Sequence, residues 1–279
     1  MFKLNFKIAW RNLIHNKTYT LFNMLGLSIG LAGFLLILLY INQETRFDKW
    51  NPELKNTYMI AADYTKSEAQ YKGTKIKALF AKTTRENVHD VENVSINNLS
   101  GRKLAHTYVN NGKEIKQNFN TVMVDSLFLD VYPLKASEGN LKAIFDTSNS
   151  IAISKKMAKF FFGDESPINK VLIQDRGVNF PAQELIVKGV WDHEQQASYF
   201  DFEVLMATNL KEYGDQLLSN TFSTLIKLRK GADPNKVYDQ LNENYIKELA
   251  KFSTENSDVN YQPTLAQAKK ILLENEGIS

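Results

Sequence analysis

The sequence predicts an α+β protein: one N-terminal transmembrane helix followed by a mixed α/β domain that carries an inserted β-rich subdomain. Three observations lead to this fold class. An uncharged apolar run fills residues Thr20 to Ile41. After it, a strand, a helix and a second strand follow one another, as in an α/β unit. From Gly101 to about Phe200, short strands and turns replace that pattern, and we place the β-rich subdomain there.

The apolar run, TLFNMLGLSIGLAGFLLILLYI, is long enough to cross a membrane. No charged side chain lies between Thr18 and Gln43, and a helix needs roughly 20 residues to cross a hydrocarbon core of about 30 Å. A buried core helix is the alternative, but such helices seldom exceed about 14 apolar residues. A cleaved signal peptide ends at small residues. This run ends in Tyr40-Ile41-Asn42-Gln43-Glu44, so we expect an uncleaved anchor.

The residues before the run form a basic lead-in, Met1 to Tyr19. Apolar side chains recur in it at helical spacing, at Phe2, Phe6, Ala9, Trp10 and Leu13. An amphipathic basic helix suits the surface of an anionic membrane, and packing on a soluble core is the alternative. We expect four residues to contact the membrane interface: Lys3, Lys7, Trp10 and Arg11.

Lysine and arginine near the span favour a cytoplasmic N-terminus only slightly. Four precede the run, namely Lys3, Lys7, Arg11 and Lys17, and three follow it by residue 60, namely Arg46, Lys49 and Lys55. The positive-inside rule counts these residues and discounts acids. The charge count alone therefore decides little.

Three glycines lie inside the run. Gly26, Gly30 and Gly33 share one helical face, and small residues at this spacing let a second helix approach closely. We expect helix packing there with a partner from outside this sequence; glycines tolerated without a packing role are the alternative. Gly26-Leu27-Ser28-Ile29-Gly30 also matches a nucleophile elbow. That motif needs a strand-turn-helix context, so we do not expect catalysis at Ser28.

The rest of the chain shows alternating patterns. Asn110-Asn111-Gly112 predicts a hairpin turn between two strands, and Gly163 predicts a helix C-cap. The predicted strands are Thr57–Tyr64, Val91–Leu99, Leu104–Val109, Glu114–Asn120, Val171–Ile173, Glu184–Trp191, Phe202–Met206 and Thr221–Leu228. The predicted helices are Lys75–Asn87, Ser126–Val131, Ser154–Phe162, Pro234 to about Phe252, and Thr264–Asn275.

The sequence offers little catalytic chemistry, and we expect a protein that is not an enzyme and uses no cofactor or metal. The net charge is +3 and there is no cysteine, so neither nucleic-acid binding nor thiol chemistry is supported. No phosphate-binding loop occurs, and His193-Glu194 lacks the second histidine of a zinc motif. Tyr199-Phe200-Asp201-Phe202 favours core packing over a ligand contact.

Several short segments match a known family in the same order along the chain. They are FKIAWRNLIHNKTYTLFNMLGLSIGLA, Phe47-Asp48 with the strand around Tyr58, Val124-Asp125-Ser126-Leu127-Phe128, Glu138-Gly139, SIAIS at 150–154, FGDESPI at 162–168, Val187-Lys188-Gly189-Val190 and Gly231-Ala232-Asp233-Pro234. Together they resemble the N-terminal part of MacB-type permeases, which belong to the FtsX superfamily of ABC transporters. Asn169 stands where that family usually has glycine.

The resemblance implies a bacterial inner-membrane permease component. It divides the chain into a cytoplasmic lead-in (1–19), a transmembrane helix (20–41) and a MacB-like periplasmic core domain (42–279). The membrane-proximal α/β subdomain then covers about 44–99 and 200–262, and the inserted β-rich subdomain about 100–199. The resemblance also implies a cytoplasmic N-terminus, a second permease subunit or homodimer, a separate ABC ATPase, periplasmic or outer-membrane partners, and export or efflux driven by movements of the periplasmic domain.

Such permeases carry three further membrane helices after the periplasmic domain. No uncharged run of spanning length follows Ile41 here. We therefore expect a truncated or fragmentary permease component. The alternative is a single-span, membrane-anchored periplasmic binding or adaptor module without an ATPase partner. An anchored hydrolase has only the Gly26–Gly30 match in its favour.

Overall fold

The computed structural model describes residues 2–44, 51–66, 69–76, 78–177, 180–192, 200–208, 222–252 and 260–267. The chain divides into two compact units, Met1–Phe47 and Asp48–Ser279. Phe47-Asp48, Tyr199 and His193-Glu194 lie outside the described residues.

The first unit consists of two helices, α1 (Phe2–His15) and α2 (Lys17–Glu44), which are separated at Asn16. Within α2, Lys17–Asn42 has a mean hydropathy of 2.4 and none of its apolar window is buried inside the chain. It is the one helix in the described part of the chain that is long and apolar enough to cross a membrane. A core helix of a soluble protein would be covered by its own chain, and this helix is not.

The second unit is built on one mixed sheet of twelve strands in the described residues. The main path runs β12-β1-β11-β4-β5-β10-β7-β9-β6, with β2 on β1, β3 on β11, and β8 joining β4 to β9. The strands are β1 (Thr57–Lys66), β2 (Ala69–Gly73), β3 (Lys75–Ile76), β4 (Val91–Asn110), β5 (Lys113–Val124), β6 (Ala136–Gly139), β7 (Ser150–Ser154), β8 (Val171–Gln174), β9 (Gln183–Trp191), β10 (Val204–Ala207), β11 (Phe222–Leu228) and β12 (Asn260–Gln267).

Helices cover both faces of this sheet. They are α3 (Ala78–Asn87), α4 (Phe128–Val131), α5 (Lys155–Phe162) and α6 (Pro234–Phe252), with 3₁₀ turns at Pro52–Asn56 and Leu141–Phe145. The hydrophobic interior has three parts. Core A contains Tyr58, Ile60, Phe80, Val94, Ile226 and Val237; core B contains Met59, Phe128, Val131, Trp191, Phe202 and Leu225; core C contains Phe119, Ile151, Met157, Phe161, Leu172 and Val204.

Strand alternation decides which core each side chain enters. Tyr58 and Ile60 of β1 belong to core A, whereas Met59 between them belongs to core B. Successive residues of a strand point to opposite faces, so α3 and α6 pack on one face of β1, β4 and β11, and α4 packs on the other. The α+β class with one N-terminal apolar helix is thereby confirmed.

Three predicted elements were wrong, two strands and one helix. The strands predicted at Val91–Leu99 and Leu104–Val109 are one long strand, β4, whose pairing with β5 shifts between Asn98 and Arg102. Gly101 lies in that interruption at φ +57°, which glycine adopts without strain. The helix predicted at Thr264–Asn275 is contradicted at its start, because residues 260–267 pair antiparallel with β1. Residues 268–275 lie outside the described part. The helix predicted at Lys75–Asn87 is also a strand at its first two residues, where β3 pairs with β11.

The sheet runs without a break across the predicted subdomain boundaries. Core B, for example, combines Met59 and Leu225 with Phe128 and Trp191. The division into a membrane-proximal and an inserted subdomain stays a prediction.

Candidate functional site

The glycines predicted to pack against another helix lie on α2, with open space around them. A Cβ atom added at Gly26, Gly30 or Gly33 meets nothing within 4 Å. Their spacing places them on one face of the helix. This face therefore has room for a neighbouring helix, as the prediction requires, while the packing itself stays a prediction.

The residues predicted to contact the membrane interface lie on the other helix, α1. Lys3, Lys7, Trp10 and Arg11 are all exposed, Trp10 to 59%. The three basic residues recur every four positions and so follow one side of the helix. The two sets of predicted residues are thus carried by different helices of the first unit.

The nucleophile-elbow pattern does not adopt the geometry that the motif requires. Gly26 to Gly30 lies in the middle of α2, twenty-eight residues of continuous helix. Ser28 therefore lacks the strained strand-to-helix turn that exposes a nucleophilic serine.

The Val-Asp-x-x-Phe segment forms a buried polar junction. Asp125 is 7% exposed and accepts hydrogen bonds from Ser95 Oγ (2.6 Å) and from two backbone amides, Ile96 N (3.0 Å) and Leu127 N (3.1 Å). Arg85 Nη2 of α3 lies 4.0 Å from its Oδ2 atom. Burial raises the pKa of the Asp125 carboxyl, and these donors and the Arg85 charge oppose that rise. Asp125 therefore fixes the start of α4 to strand β4.

The Glu-Gly and Val-x-Gly-Val segments meet in a close backbone contact. Gly139 has φ +69°, and a Cβ there would lie 2.4 Å from Lys188 O; a Cβ on Gly189 would lie 2.9 Å from backbone atoms of Asn140 and Leu141. Asn140 N donates to Lys188 O at 2.9 Å. Both positions need glycine because the main chains of these two segments are in contact. The Glu-Gly and Val-x-Gly-Val motifs therefore have a structural role here.

The segment SIAIS to FGDESPI builds core C. Ser154 caps α5 by accepting from Met157 N (3.2 Å), and Gly163 ends the helix at φ +63°. The predicted C-cap at Gly163 is confirmed. Asn169, where the family usually has glycine, has φ +63°. Asparagine is one of the few residues that adopt this conformation readily, which explains the departure.

One buried histidine lies in the β-rich half of the sheet. His106 Nδ1 donates to Leu104 O (2.9 Å), so its Nε2 accepts from Gln174 Nε2 (2.9 Å). Gln174 also contacts Met206 Sδ at 3.5 Å. Burial lowers the pKa of His106 to about 4. Sequence spacing did not predict this group, because His106 and Gln174 come together only through the pairing of β4 with β8.

The remaining candidates for chemistry are placed as follows. In the described residues, no three His, Cys, Asp or Glu side chains lie close enough together to hold a metal ion. Phe200 and Phe202 are buried, at 6% and 2% exposure, in core B. This confirms the predicted core packing for those two aromatic residues.

The geometry defines a class of protein: an exposed apolar helix that leads into an α+β domain with helices on both faces of a mixed sheet. A family model described as the MacB-like periplasmic core domain matches residues 20–244. The chain belongs to this MacB-like family, which places it among ABC-type permeases, as its sequence motifs indicated. No curated protein matches the sequence at a significant level.

Solved structures support the fold. A domain of a permease protein from Porphyromonas gingivalis aligns with a TM-score of 0.60 at 15% identity, over 77% of this chain and 91% of that one. The periplasmic region of MacB from Actinobacillus actinomycetemcomitans gives 0.54 at 14% identity, over 84% and 99%. The extracellular domain of the ABC-type transporter YknZ from Gram-positive bacteria gives 0.50 at 16% identity, over 75% and 100%. At these identities the likeness concerns the fold.

Proposed function

We propose that this chain is a membrane-embedded component of an ABC transporter, the first membrane helix and periplasmic domain of a MacB-like permease. A separate ATPase chain hydrolyses ATP, and the resulting helix movements displace the periplasmic domain to drive export or envelope remodelling. The single observation that carries this proposal is the family match over residues 20–244, which includes both the apolar helix and the domain.

The proposed topology follows from the two helices. Helix α2 crosses the bacterial inner membrane, α1 lies on the cytoplasmic surface, and the domain is periplasmic. Lys3, Lys7 and Arg11 approach anionic headgroups, and Trp10 lies at the interface. Gly26, Gly30 and Gly33 contact a helix of a second permease subunit or of a second copy.

The proposed division of labour follows from the chemistry of the domain. Asp125 accepts buried hydrogen bonds, and Gly139 and Gly189 allow a close backbone contact between two segments. We assign the ATP chemistry to a partner chain, since no phosphate-binding loop occurs in this sequence. This chain then acts as a mechanical component and is not itself an enzyme.

Co-purification tests the proposal. The full chain, tagged at its C-terminus, is extracted from membranes of its own bacterium in mild detergent, and bound proteins are identified by mass spectrometry. We expect an ATPase with a phosphate-binding loop and a second permease subunit. Recovery of an envelope protein with neither of them would instead support the anchored binding or adaptor module.

Topology is tested independently by cysteine labelling, which is clean because the chain has no cysteine. Asn111→Cys lies in the exposed hairpin turn, and Asn5→Cys lies on the exposed side of α1. In intact cells with a permeabilised outer membrane, a membrane-impermeant maleimide should label the first variant and leave the second unlabelled. The reverse pattern would contradict a cytoplasmic N-terminus.

A further inference from the structure

The single turn α4 is held at both ends by different parts of the sheet. At its start, Asp125 accepts from Leu127 N and binds Ser95 and the Ile96 amide of β4. Phe128 and Val131 of α4 are fully buried in core B. The turn is therefore an internal element and not a surface loop.

The end of α4 leaves carbonyl groups that the turn itself cannot satisfy. Val131 N donates to Leu127 O and Tyr132 N donates to Phe128 O. The carbonyl oxygens of residues 129–131 therefore accept no hydrogen bond from within the turn. Unused carbonyls at a helix C-terminus need other donors when they are buried. Three side chains from elsewhere in the chain supply donors in this region.

Two of the three donors come from the start of the domain and the third from strand β11. Thr57 Oγ1 donates to Val131 O (2.9 Å), Lys227 Nζ to Asp130 O (3.3 Å), and Asn51 Nδ2 to Pro133 O (2.9 Å). Thr57 and Lys227 are directly opposed in the β1–β11 ladder, so their side chains lie on the same face of the sheet. Thr57 is 2% exposed.

Two of these donors, Asn51 and Thr57, lie on either side of the 3₁₀ turn that follows α2 in the sequence. Asn51 comes seven residues after Glu44, the last residue of α2, and Thr57 follows the 3₁₀ turn Pro52–Asn56. Leu54 inside that turn is buried in core B, to which Val131 and Tyr132 also belong. The segment 51–57 is thus hydrogen-bonded to Val131 of α4 and to Pro133 just after it.

Phe128 of α4 and Tyr132 just after it contact aromatic side chains that precede β10. The Phe128 ring lies 6.3 Å from that of Phe202, and the Tyr132 ring 5.2 Å from that of Phe200, between ring centroids. Phe202 in turn lies 5.5 Å from Trp191 at the end of β9. A displacement of α4 therefore reaches β9 and β10 through packed rings.

We propose that α4 is a coupling strut, which transmits movement of the segment 51–57 to the ends of strands β9 and β10. Thr57, Lys227 and Asn51 are the positioning residues that bond to the carbonyls of residues 130–133, and Phe128 and Tyr132 make the ring contacts with the residues before β10. This inference gives the proposed function a route within the domain, which begins at its first described residues, and it rests on that function for its biological meaning.

Hydrogen exchange measured by mass spectrometry on the full chain in detergent tests the strut. Thr57→Val keeps the shape of the side chain and removes the donor, leaving Val131 O without its partner. We expect exchange of the amides in 128–132 to rise about tenfold, with a smaller rise in 189–192 and 200–206. Thr57→Ser, which keeps the hydroxyl, should restore exchange close to that of the wild type.

The matched control is Thr83→Val in α3. Thr83 is also a buried threonine, 5% exposed, whose hydroxyl donates to a carbonyl, Phe80 O, at 3.0 Å. We expect it to change exchange in α3 and to leave 189–192 and 200–206 unchanged. Lys227→Met removes the donor to Asp130 O from a half-buried side chain and leaves Thr57 unchanged. We expect it to raise exchange in the same segments as Thr57→Val.

Two results would overturn the strut. One is a Thr57→Val effect confined to 51–60; the other is a uniform rise across the domain, equal to that of Thr83→Val at the same loss of thermal stability. Failure of the ATPase to co-purify would not affect this measurement, so the proposed function and the strut can fail separately.

Discussion

The helical unit and the domain differ in how far their residues are packed against the rest of the chain. In α2 the apolar side chains face outward, and a Cβ added at Gly26, Gly30 or Gly33 would meet nothing within 4 Å. In the domain, a Cβ added at Gly139 or Gly189 would lie 2.4 or 2.9 Å from main-chain atoms. The domain is specified by contacts within itself, whereas the apolar side chains of α2 are not buried by the rest of the chain. The same residue type therefore has a different physical role in each unit.

The largest expected effect contrasts two tryptophans. Trp191→Ala removes a fully buried ring from core B and should lower the free energy of unfolding by about 3–5 kcal/mol. Trp10→Ala, at a side chain 59% exposed on α1, should change it by less than about 0.5 kcal/mol. Denaturant unfolding in detergent, followed by circular dichroism, measures both. Equal losses of unfolding free energy would contradict the view that contacts within the chain stabilise the domain and not α1.

A second contrast concerns glycines within the domain. Gly139→Ala adds a Cβ against Lys188 O at a positive φ and should cost about 3 kcal/mol. Gly112→Ala also has a positive φ, +79°, but meets nothing within 4 Å, so only backbone strain of about 1 kcal/mol is expected. Thermal unfolding of the two variants separates the close approach from the strain. A smaller loss of stability for Gly139→Ala than for Gly112→Ala would show that the strand around Lys188 moves to make room for the Cβ atom.

The buried His106 also predicts that the stability of the domain depends on pH. The pKa of His106 is lowered to about 4 in the fold, against about 6.5 when unfolded. Below pH 6.5 the unfolded chain binds the proton more readily, so stability falls as the pH drops towards 4 and is constant above about 7. The loss attributable to His106 is about 2–3 kcal/mol at pH 4.

Comparison with His106→Gln isolates that effect, because glutamine does not titrate. The difference in unfolding free energy between the two proteins should shrink by this amount from pH 7 to pH 4. Asp125 works in the opposite sense: its raised pKa means that its contribution weakens as the pH rises from about 3.8 to its value in the fold. A pH-independent difference between wild type and His106→Gln would show that folding does not shift the pKa of His106.

The smallest effect on stability belongs to the glycine face of α2. The double variant Gly26→Leu, Gly30→Leu should leave unfolding of the domain unchanged and weaken association of the chain with its helix partner about tenfold. Ala32→Leu makes the same kind of change on another face of α2 and serves as the control. Cross-linking in detergent with a single introduced cysteine measures association. Equal association of the two variants would place the helix contact elsewhere.

Local sequence signals predicted most of the regular elements correctly. Asn110-Asn111-Gly112 forms the turn between β4 and β5, with Asn111 and Gly112 at positive φ, as the type of turn requires. The helix starting at Pro234 and the one ending at Gly163 also lie where predicted. In each case the residue types within one segment are enough to decide the conformation.

Other elements depended on distant partners. The apolar periodicity at residues 264–267 fits a helix as well as a strand, and pairing with β1 decides for a strand. Ala136–Gly139 has no strand pattern and becomes one because it aligns with β9. The motif Val-Asp-x-x-Phe was visible in the sequence. The donors to the carbonyls that follow it, from Asn51, Thr57 and Lys227, lie far away along the chain and were not.

The sequence by itself determined the apolar helix, the basic lead-in and the family, because these depend on composition and on the order of short motifs. The tertiary structure alone decided how β4 joins two predicted strands, why Gly139 and Gly189 must be glycine, and what surrounds Asp125, His106 and α4. The physical reason is the range of the interactions. Hydropathy and turn preferences act over a few residues, whereas buried polar groups and close backbone contacts are satisfied only by segments that folding brings together.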